Sequence, residues 1–425
     1  MKIFRAFKTE LDPNDRQKTL LLQHAGAARV AYNWGLERKQ EAWAARRAAI
    51  AAGVFPNAAP KVPTWIDLSR ELTLLKDVPK EDGGFSWMRG FSTCAPREAL
   101  WNLDRAYADF FRRCKAKSKR KGFPRFKSRK RGIGGFRLKG AIHANVAHVQ
   151  LPRLGRLRLK EHGYLPGDVK ILSATITEKA GRWFVSLQVE QEILDPTPRL
   201  THVVGVDVGI KSLAVTSDGE VFENPKALRT AEARLRRLQK SVSRKTKGSS
   251  NRKKAVVKAA RLHHRIGNVR KDAMHKASSA IVKSASVIVL ESLNVSGMLQ
   301  NRKLSKALQD ASLAELHRQL EYKARWQGVT VLKADRFFPS SKACSGCGLV
   351  KQDLALGDRT YECACGLRVD RDLNAAINLK NLAASSAVTA CGEVGSGPCR
   401  VIRTKPASAK QEPNSGRGSS SIWSV

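Results

Sequence analysis

The chain has 425 residues, enough for two or three domains, and 42% of them are hydrophobic, enough for a sizeable core. Its 78 Lys and Arg against 37 Asp and Glu leave a net charge of +41, which calls for a polyanionic partner, and nucleic acid fits best. With no apolar run of about 18 residues, no signal-like apolar core in MKIFRAFKTELDP, and four of eight cysteines clustered, a membrane anchor and a secreted disulfide scaffold are both set aside, and a cytoplasmic, nucleoid-associated protein is expected.

Residues 2–9 alternate loosely. Asp12 then reads as an N-cap with Pro13 at the first helical position. Apolar spacing at Leu20, Ala27, Val30, Ala31 and Trp34 predicts a helix reaching toward Trp43. A Pro/Ala/Gly-rich break covers 51–63. Further helices are predicted over 65–75 and 96–111, so residues 11–113 read as a helical domain. The next stretch, 112–137, holds 13 Lys and Arg and no acid, with Phe123, Phe126 and Phe136 interleaved. Cations for phosphates and rings for stacking make it a candidate nucleic-acid contact. From 149 to 190 the period becomes two, as in Trp183, Val185, Leu187 and Val189, which predicts a compact β domain, in form a small barrel. Asp195-Pro196-Thr197-Pro198 reads as a linker.

The second half opens on HVVGVDVGIKSLAVTSDGEVFEN, residues 202–224: three antiparallel strands, the first carrying Asp207, in the manner of an RNase H-type start. An acid in a β-branched strand is costly unless it is paired or binds metal. Residues 226–283 are helical and basic. From Arg229 to Lys276 there are 17 Lys and Arg against Glu232 and Asp272, with a break at 245–251, so two antiparallel phosphate-contacting helices are expected. A buried strand at 286–290 delivers Glu291. A helix over 310–327 and a strand over 329–332 follow, the latter running on to Asp335. Beyond Leu382 the chain turns Ala/Ser/Gly/Pro-rich, and 383–425 reads as a disordered tail containing Cys391 and Cys399.

Two constellations carry chemistry. Cys344-x2-Cys347 and Cys363-x-Cys365, separated by 15 residues, place four thiolates to converge on one cation, with Gly346, Gly348 and Gly366 allowing the turns. Four Cys close a tetrahedral site, hence structural zinc. The second constellation is Asp207, Glu291 and one acid of the Asp370-Arg371-Asp372 triplet. Such a trio holds two Mg²⁺ ions, roughly 4 Å apart, for attack on a phosphodiester. Asp372 is favoured over Asp370 because it is expected to open the helix that follows, at the positive helix end. Asp218 and Asp335 read as structural.

GVDVGIKSLAVTSDG, VLESLNVSGM, FFPSSKACSGCG and CGLRVDRDLNAAINL resemble successive blocks of the TnpB/OrfB family, insertion-sequence-encoded proteins similar to the ancestors of type V CRISPR effectors. ELDPNDRQKTLLLQHAGAARVAYNWGLE and GFPRFKSRK resemble that family's helix-turn-helix-like and basic blocks, so the resemblance covers residues 1–382. It implies a multidomain α/β architecture: a RuvC-like (RNase H fold) nuclease domain over 199–340 and 367–382, with a zinc-ribbon insertion at 341–366. It also implies an N-terminal β-barrel wedge domain, 1–10 and 114–198, carrying the helical recognition insert 11–113. It further implies an RNA-guided, Mg²⁺-dependent endonuclease for double-stranded DNA, working with a guide RNA. Asp207, Glu291 and Asp372 match the family's catalytic acids, and Cys344, Cys347, Cys363 and Cys365 its zinc ligands. One nuclease site would serve both strands, and a monomer is expected. A transposase acting directly on DNA ends uses the same acid trio. A non-catalytic nucleic-acid-binding regulator with a zinc ribbon is a third reading, against which the intact trio argues.

Overall fold

In the computed structural model, which describes residues 2–118, 120–165, 169–193, 202–355 and 357–389, the first strand β1 (Lys2–Leu11) finds its partner far along the chain. Three helices intervene: α1 (Asp15–Ala51), α2 (Trp65–Leu75) and α3 (Cys94–Lys115). Then come β2 (Gly135–Leu138), β3 (His143–Ala144), β4 (His148–Leu151), β5 (Gly155–Arg158), β6 (Lys170–Lys179) and β7 (Arg182–Glu192). β1 runs antiparallel to β7, from Lys2 opposite Glu192 to Leu11 opposite Trp183, in a sheet ordered β1-β7-β6-β2. A second sheet, β3-β4-β5, meets the first where Leu11 bridges Leu159. Alternate residues of both sheets, among them Leu138, Leu157, Val185 and Leu187, share one core with Leu21, Leu36 and Leu103 of α1 and α3. The period-two pattern thus turns one side of each sheet to a shared core, as the alternation predicts.

The helix start differs from expectation. Asn14, not Asp12, caps α1: its side chain accepts from the Gln17 N–H, and the Gln17 side chain accepts from the Asn14 N–H. The Asp12 N–H is already committed to the Arg158 carbonyl at 2.8 Å, so the chain is still sheet edge at that point.

The remaining elements are β8 (Val203–Asp207), β9 (Ser212–Thr216), β10 (Val221–Glu223), α4 (Ala227–Ser243), α5 (Ser250–Ser284), β11 (Val287–Leu290), α6 (Val295–Met298), α7 (Ser305–Ala311), α8 (Leu313–Gln327), β12 (Thr330–Lys333), β13 (Thr360–Glu362), β14 (Arg368–Asp370) and α9 (Arg371–Thr389). Their main sheet is ordered β10-β9-β8-β11-β12. β8, β9 and β10 form the expected antiparallel meander, while β11 lies parallel to β8 and β12 parallel to β11. One face, with Val204, Val206, Ile288 and Leu290, packs on α5 and α8 through Ile281, Leu316 and Leu320. The other face takes α9, with Val203 and Val289 against Leu379. Gly205 permits this: a Cβ there would run into the Ala376 carbonyl and the Lys380 amide of α9.

The chain divides into two compact units, residues 1–195 with 233–265, and 196–232 with 266–425. The single helix expected over 310–327 is two, broken at Ser312, whose φ of 54° is left-handed. Residues 383–389, expected to belong to a disordered tail, are instead the end of α9. The rest of the tail and the linker expected at 195–198 lie outside the described residues. Among the described residues no helix is long and apolar enough to cross a membrane.

Candidate functional site

The parallel register of β8 and β11 sets the first two acids. Val206 pairs with Leu290, so Asp207 and Glu291, one residue further on, leave neighbouring strands at the same end. Val206 and Leu290 face the α5–α8 core, so strand alternation turns Asp207 and Glu291 to the opposite face, which α9 covers. Asp372 stands in the first turn of α9 and is 15% exposed, whereas Asp370 is 47% exposed. The electrostatics register their proximity. Burial, then the charges of Glu291 and Asp372, pushes the Asp207 carboxyl up to about 8, with Arg371 pulling the other way and Asp370 adding a weaker push. Burial also raises the Glu291 carboxyl, opposed by the hydroxyl of Ser340, which donates to its Oε1. The Arg371 guanidinium lies 3.6 Å from Asp372, and Lys211 lies 3.8 Å from Asp370.

Asp372 stands in the opening turn of α9, as expected, and Asp370 caps that turn: its Oδ1 accepts from the Asp372 N–H at 2.9 Å and from the Leu373 N–H at 3.3 Å. The assignment of roles is unchanged, because capping occupies the more exposed acid and leaves Asp372 facing Asp207.

The four cysteines form the tighter group. The sulfurs of Cys344, Cys347, Cys363 and Cys365 all lie within 4.8 Å of one another, and the pairs Cys344–Cys365 and Cys347–Cys363 are 3.7 and 3.6 Å apart. A tetrahedral zinc with Zn–S near 2.3 Å requires sulfurs about 3.8 Å apart, so this donor set fits. Each pair sits in a tight turn. The Gly348 N–H donates to the Cys344 carbonyl and the Gly366 N–H to the Cys363 carbonyl, with φ of 78° and 87° at the two glycines. Gly346, also expected to need this freedom, is not in the left-handed region. Beneath the knuckle Tyr361 is fully buried and donates to the carbonyl of Lys342 at 3.0 Å. The carboxylates fit a hard cation by chemistry: three acids converge on a buried position where their charges are only partly offset.

The basic stretch over 112–137 is partly spent inside the fold. Phe136 is buried in the core, and Phe123 packs edge-on against Tyr107 and Phe110. Lys127 sits 3.7 Å above the Tyr32 ring, its ammonium pushed down by burial, while Asn33 grips its backbone through both N–H and carbonyl. Phe126 remains exposed. In α4 the start of the basic hairpin is fixed by the buried Asp310, which accepts from the N–H groups of Leu228 and Arg229.

Sequence reasoning passed over Ser340, Arg371, Asn374 and Asn378. The two asparagines sit four apart in an otherwise apolar run, NAAIN, which is the one local signal that marks them.

The fold and the site define a multidomain α/β chain with a group of four cysteines that could hold a metal ion. Residues 184–302 match a family model described as probable transposase, 314–379 one described as a Cas12f1-like TNB domain, and 1–48 one described as a helix-turn-helix domain. A Streptomyces pristinaespiralis protein named putative RNA-guided DNA endonuclease is 38% identical over 97% of both chains. The putative RNA-guided DNA endonuclease InsQ of Escherichia coli is 32% identical over 93% of this chain and 95% of its own length. A Mycobacterium tuberculosis protein, the putative RNA-guided DNA endonuclease Rv2885c, is 31% identical over 88% and 85%. The chain belongs to the TnpB/OrfB family. Its first 48 residues are nevertheless one strand and one unbroken helix, so the helix-turn-helix description does not extend to geometry here.

Proposed function

We propose that this protein is an RNA-guided endonuclease of a transposable element, cutting both strands of a DNA target in one RuvC-like site. The observation that carries the reading is the register that sends Asp207 and Glu291 from adjacent parallel strands toward the first turn of α9, where Asp372 stands. The sheet order β10-β9-β8-β11-β12, with only β9 antiparallel to the rest, supports an RNase H fold for residues 199–340 and 367–382. In the same reading 341–366 is the zinc-ribbon insertion, 1–10 and 114–198 the wedge, and 11–113 the recognition insert. The names of the relatives support the activity and its RNA and DNA partners.

The chain's own groups do the following. Asp207, Glu291 and Asp372 would hold two Mg²⁺ ions, which supply an activated water and charge neutralisation at the leaving oxygen. Ser340 orients Glu291 by donating to its Oε1, and Arg371 offsets part of the negative charge around Asp207. The four cysteines would hold a structural zinc, which would fix the loop leading into Asp372 and take no part in the chemistry. The lysines and arginines of α4 and α5 hold the polyanion by its backbone, leaving sequence to base pairing.

The test is cleavage by the purified RNA complex. Asp207→Ala and Glu291→Ala are each expected to lower cleavage by about a thousandfold or more while the copurifying RNA remains bound. Cleavage at the wild-type rate by Asp207→Ala overturns the assignment. The match to a model described as probable transposase keeps direct strand transfer as a second reading. A supercoiled donor plasmid assayed without RNA separates the two: end joining there favours transfer, and RNA-dependent cutting favours the nuclease.

A further inference from the structure

Two buried amides of α9 hold the segment that carries Cys344 and Ser340. Asn374 and Asn378 lie on one face of α9, two and six residues past Asp372, and are 0% and 6% exposed. Asn374 straddles Cys344: its Nδ2 donates to the Ala343 carbonyl at 2.7 Å and its Oδ1 accepts from the Ser345 N–H at 3.0 Å. Asn378 donates through Nδ2 to the carbonyls of Ser340 and Ala343, both at 2.7 Å. Ser340, itself 5% exposed, donates its hydroxyl to Glu291. An unbroken set of hydrogen bonds thus runs from the backbone on either side of a zinc-ligand cysteine, through α9, to Glu291, and Asp372 rides on the same helix.

The residue type fits this task. A primary amide is the neutral side chain that donates and accepts at once, so it grips a carbonyl and an N–H on opposite sides of one residue. Aspartate lacks the donor and would add charge beside three acids. Leucine at 374 would take from the Ser345 N–H its side-chain acceptor and leave the Ala343 carbonyl to Asn378 alone. Helix–loop packing alone would be served by apolar side chains. It does not account for both amides aiming at the segment that carries Cys344 and Ser340.

We propose that Asn374 and Asn378 are positioning residues that couple the cysteine knuckle to the carboxylate cluster, so that metal on the cysteines sets the spacing of Asp372 and Glu291. This rests on the acid assignment made under Proposed function. The knuckle then acts as a gauge for the cation site.

The experiment uses the full-length protein with its copurified RNA, in wild type and in Asn374→Ala, Asn378→Ala and Ser340→Ala forms. Three quantities are read: zinc per chain, Mn²⁺ binding by loss of the free-ion EPR signal, and the Mn²⁺ concentration giving half-maximal cleavage. Asn378→Ala and Ser340→Ala are expected to weaken Mn²⁺ binding about tenfold, as loss of a hydrogen-bonded support behind a metal ligand does, with zinc content and target binding unchanged. Asn374→Ala is expected to do the same and to release zinc faster to a chelator. Stripping zinc should weaken Mn²⁺ binding in wild type but add little in Asn374→Ala, the non-additivity that coupling requires and generic destabilisation lacks. Zinc-loaded variants whose Mn²⁺ titrations overlay the wild type would overturn the coupling. If Asn378→Ala fails to fold, Ser340→Ala, which loses one hydroxyl, decides. Asp372→Ala is run alongside: wild-type cleavage there sinks the acid assignment itself, whereas its loss together with unaltered Asn variants sinks the coupling alone.

Discussion

The cysteine group and the carboxylate group of this chain are built on opposite principles. The thiols of the knuckle stand at ligand spacing, with sulfurs 3.6 and 3.7 Å apart, because short turns and a buried tyrosine hold them there. The carboxylates are not gathered that closely. Among the described residues the cysteines are the one group of three or more potential ligands within 4.8 Å. Short turns hold the sulfurs together, whereas burial first, and then the charges of Glu291 and Asp372, raise the Asp207 carboxyl. The cysteine group is local to residues 344–365, and Asp372, the last of the three acids, follows it by seven residues.

The largest expected effect breaks the cysteine side. Cys344→Ser should abolish zinc binding and, since structural zinc contributes on the order of 10 kcal/mol to a small site, unfold the 341–366 segment. Hydrogen exchange should register lost protection there and unchanged protection in β1, β6 and β7. Retained zinc at one per chain would refute the four-cysteine site. Next comes the seating of α9. Gly205→Ala puts a methyl group into the Ala376 carbonyl, and the forced shift should cost about 1–3 kcal/mol in denaturant unfolding and reduce cleavage.

The carboxylate side is sharpened by pH. An unfolded aspartate ionises at about 3.9. Folded Asp207 keeps its proton up to about 8. Between these values the folded state binds more protons, so in a chelator stability should fall as pH rises through that window and level off above it. Differential scanning calorimetry should find this slope reduced in Asp207→Asn and reduced by added Mg²⁺. A slope unchanged in both would mean that Asp207 is not the group responsible. The smallest effect belongs to Asp370→Asn. Asparagine also caps helices, so the stability change should stay below about 1 kcal/mol and cleavage within a few-fold of wild type. Loss of cleavage comparable to that of Asp372→Ala would reverse the roles of the two acids.

The same contrast governs what was legible in the sequence. The cysteine site was local and could be read from spacing alone. The acids come from three remote segments, and the strand patterns around Asp207 and Glu291 show in the sequence which strand each of them ends. That Asp372 lies in the opening turn of α9 is legible in the sequence, whereas the capping role of Asp370 is not, because capping turns on a single residue's side chain. Asn374, Asn378 and Ser340 were silent, because their partners lie 29 to 49 residues away and are backbone groups or one carboxylate. The basic stretch was over-read in detail: Phe136 serves the core and Lys127 lies over Tyr32, uses that composition does not record.

The seating of α9 over β8 at Gly205 also fixes an order of events at the ribosome. Asp372 follows Asp207 by 165 residues (372 minus 207), about 8–33 s of synthesis at 5–20 residues per second. The basic stretch 112–137 and the helices α4 and α5 emerge before it. A nascent chain can therefore grip a polyanion while its third acid is still unmade, and the capacity to cut arrives last.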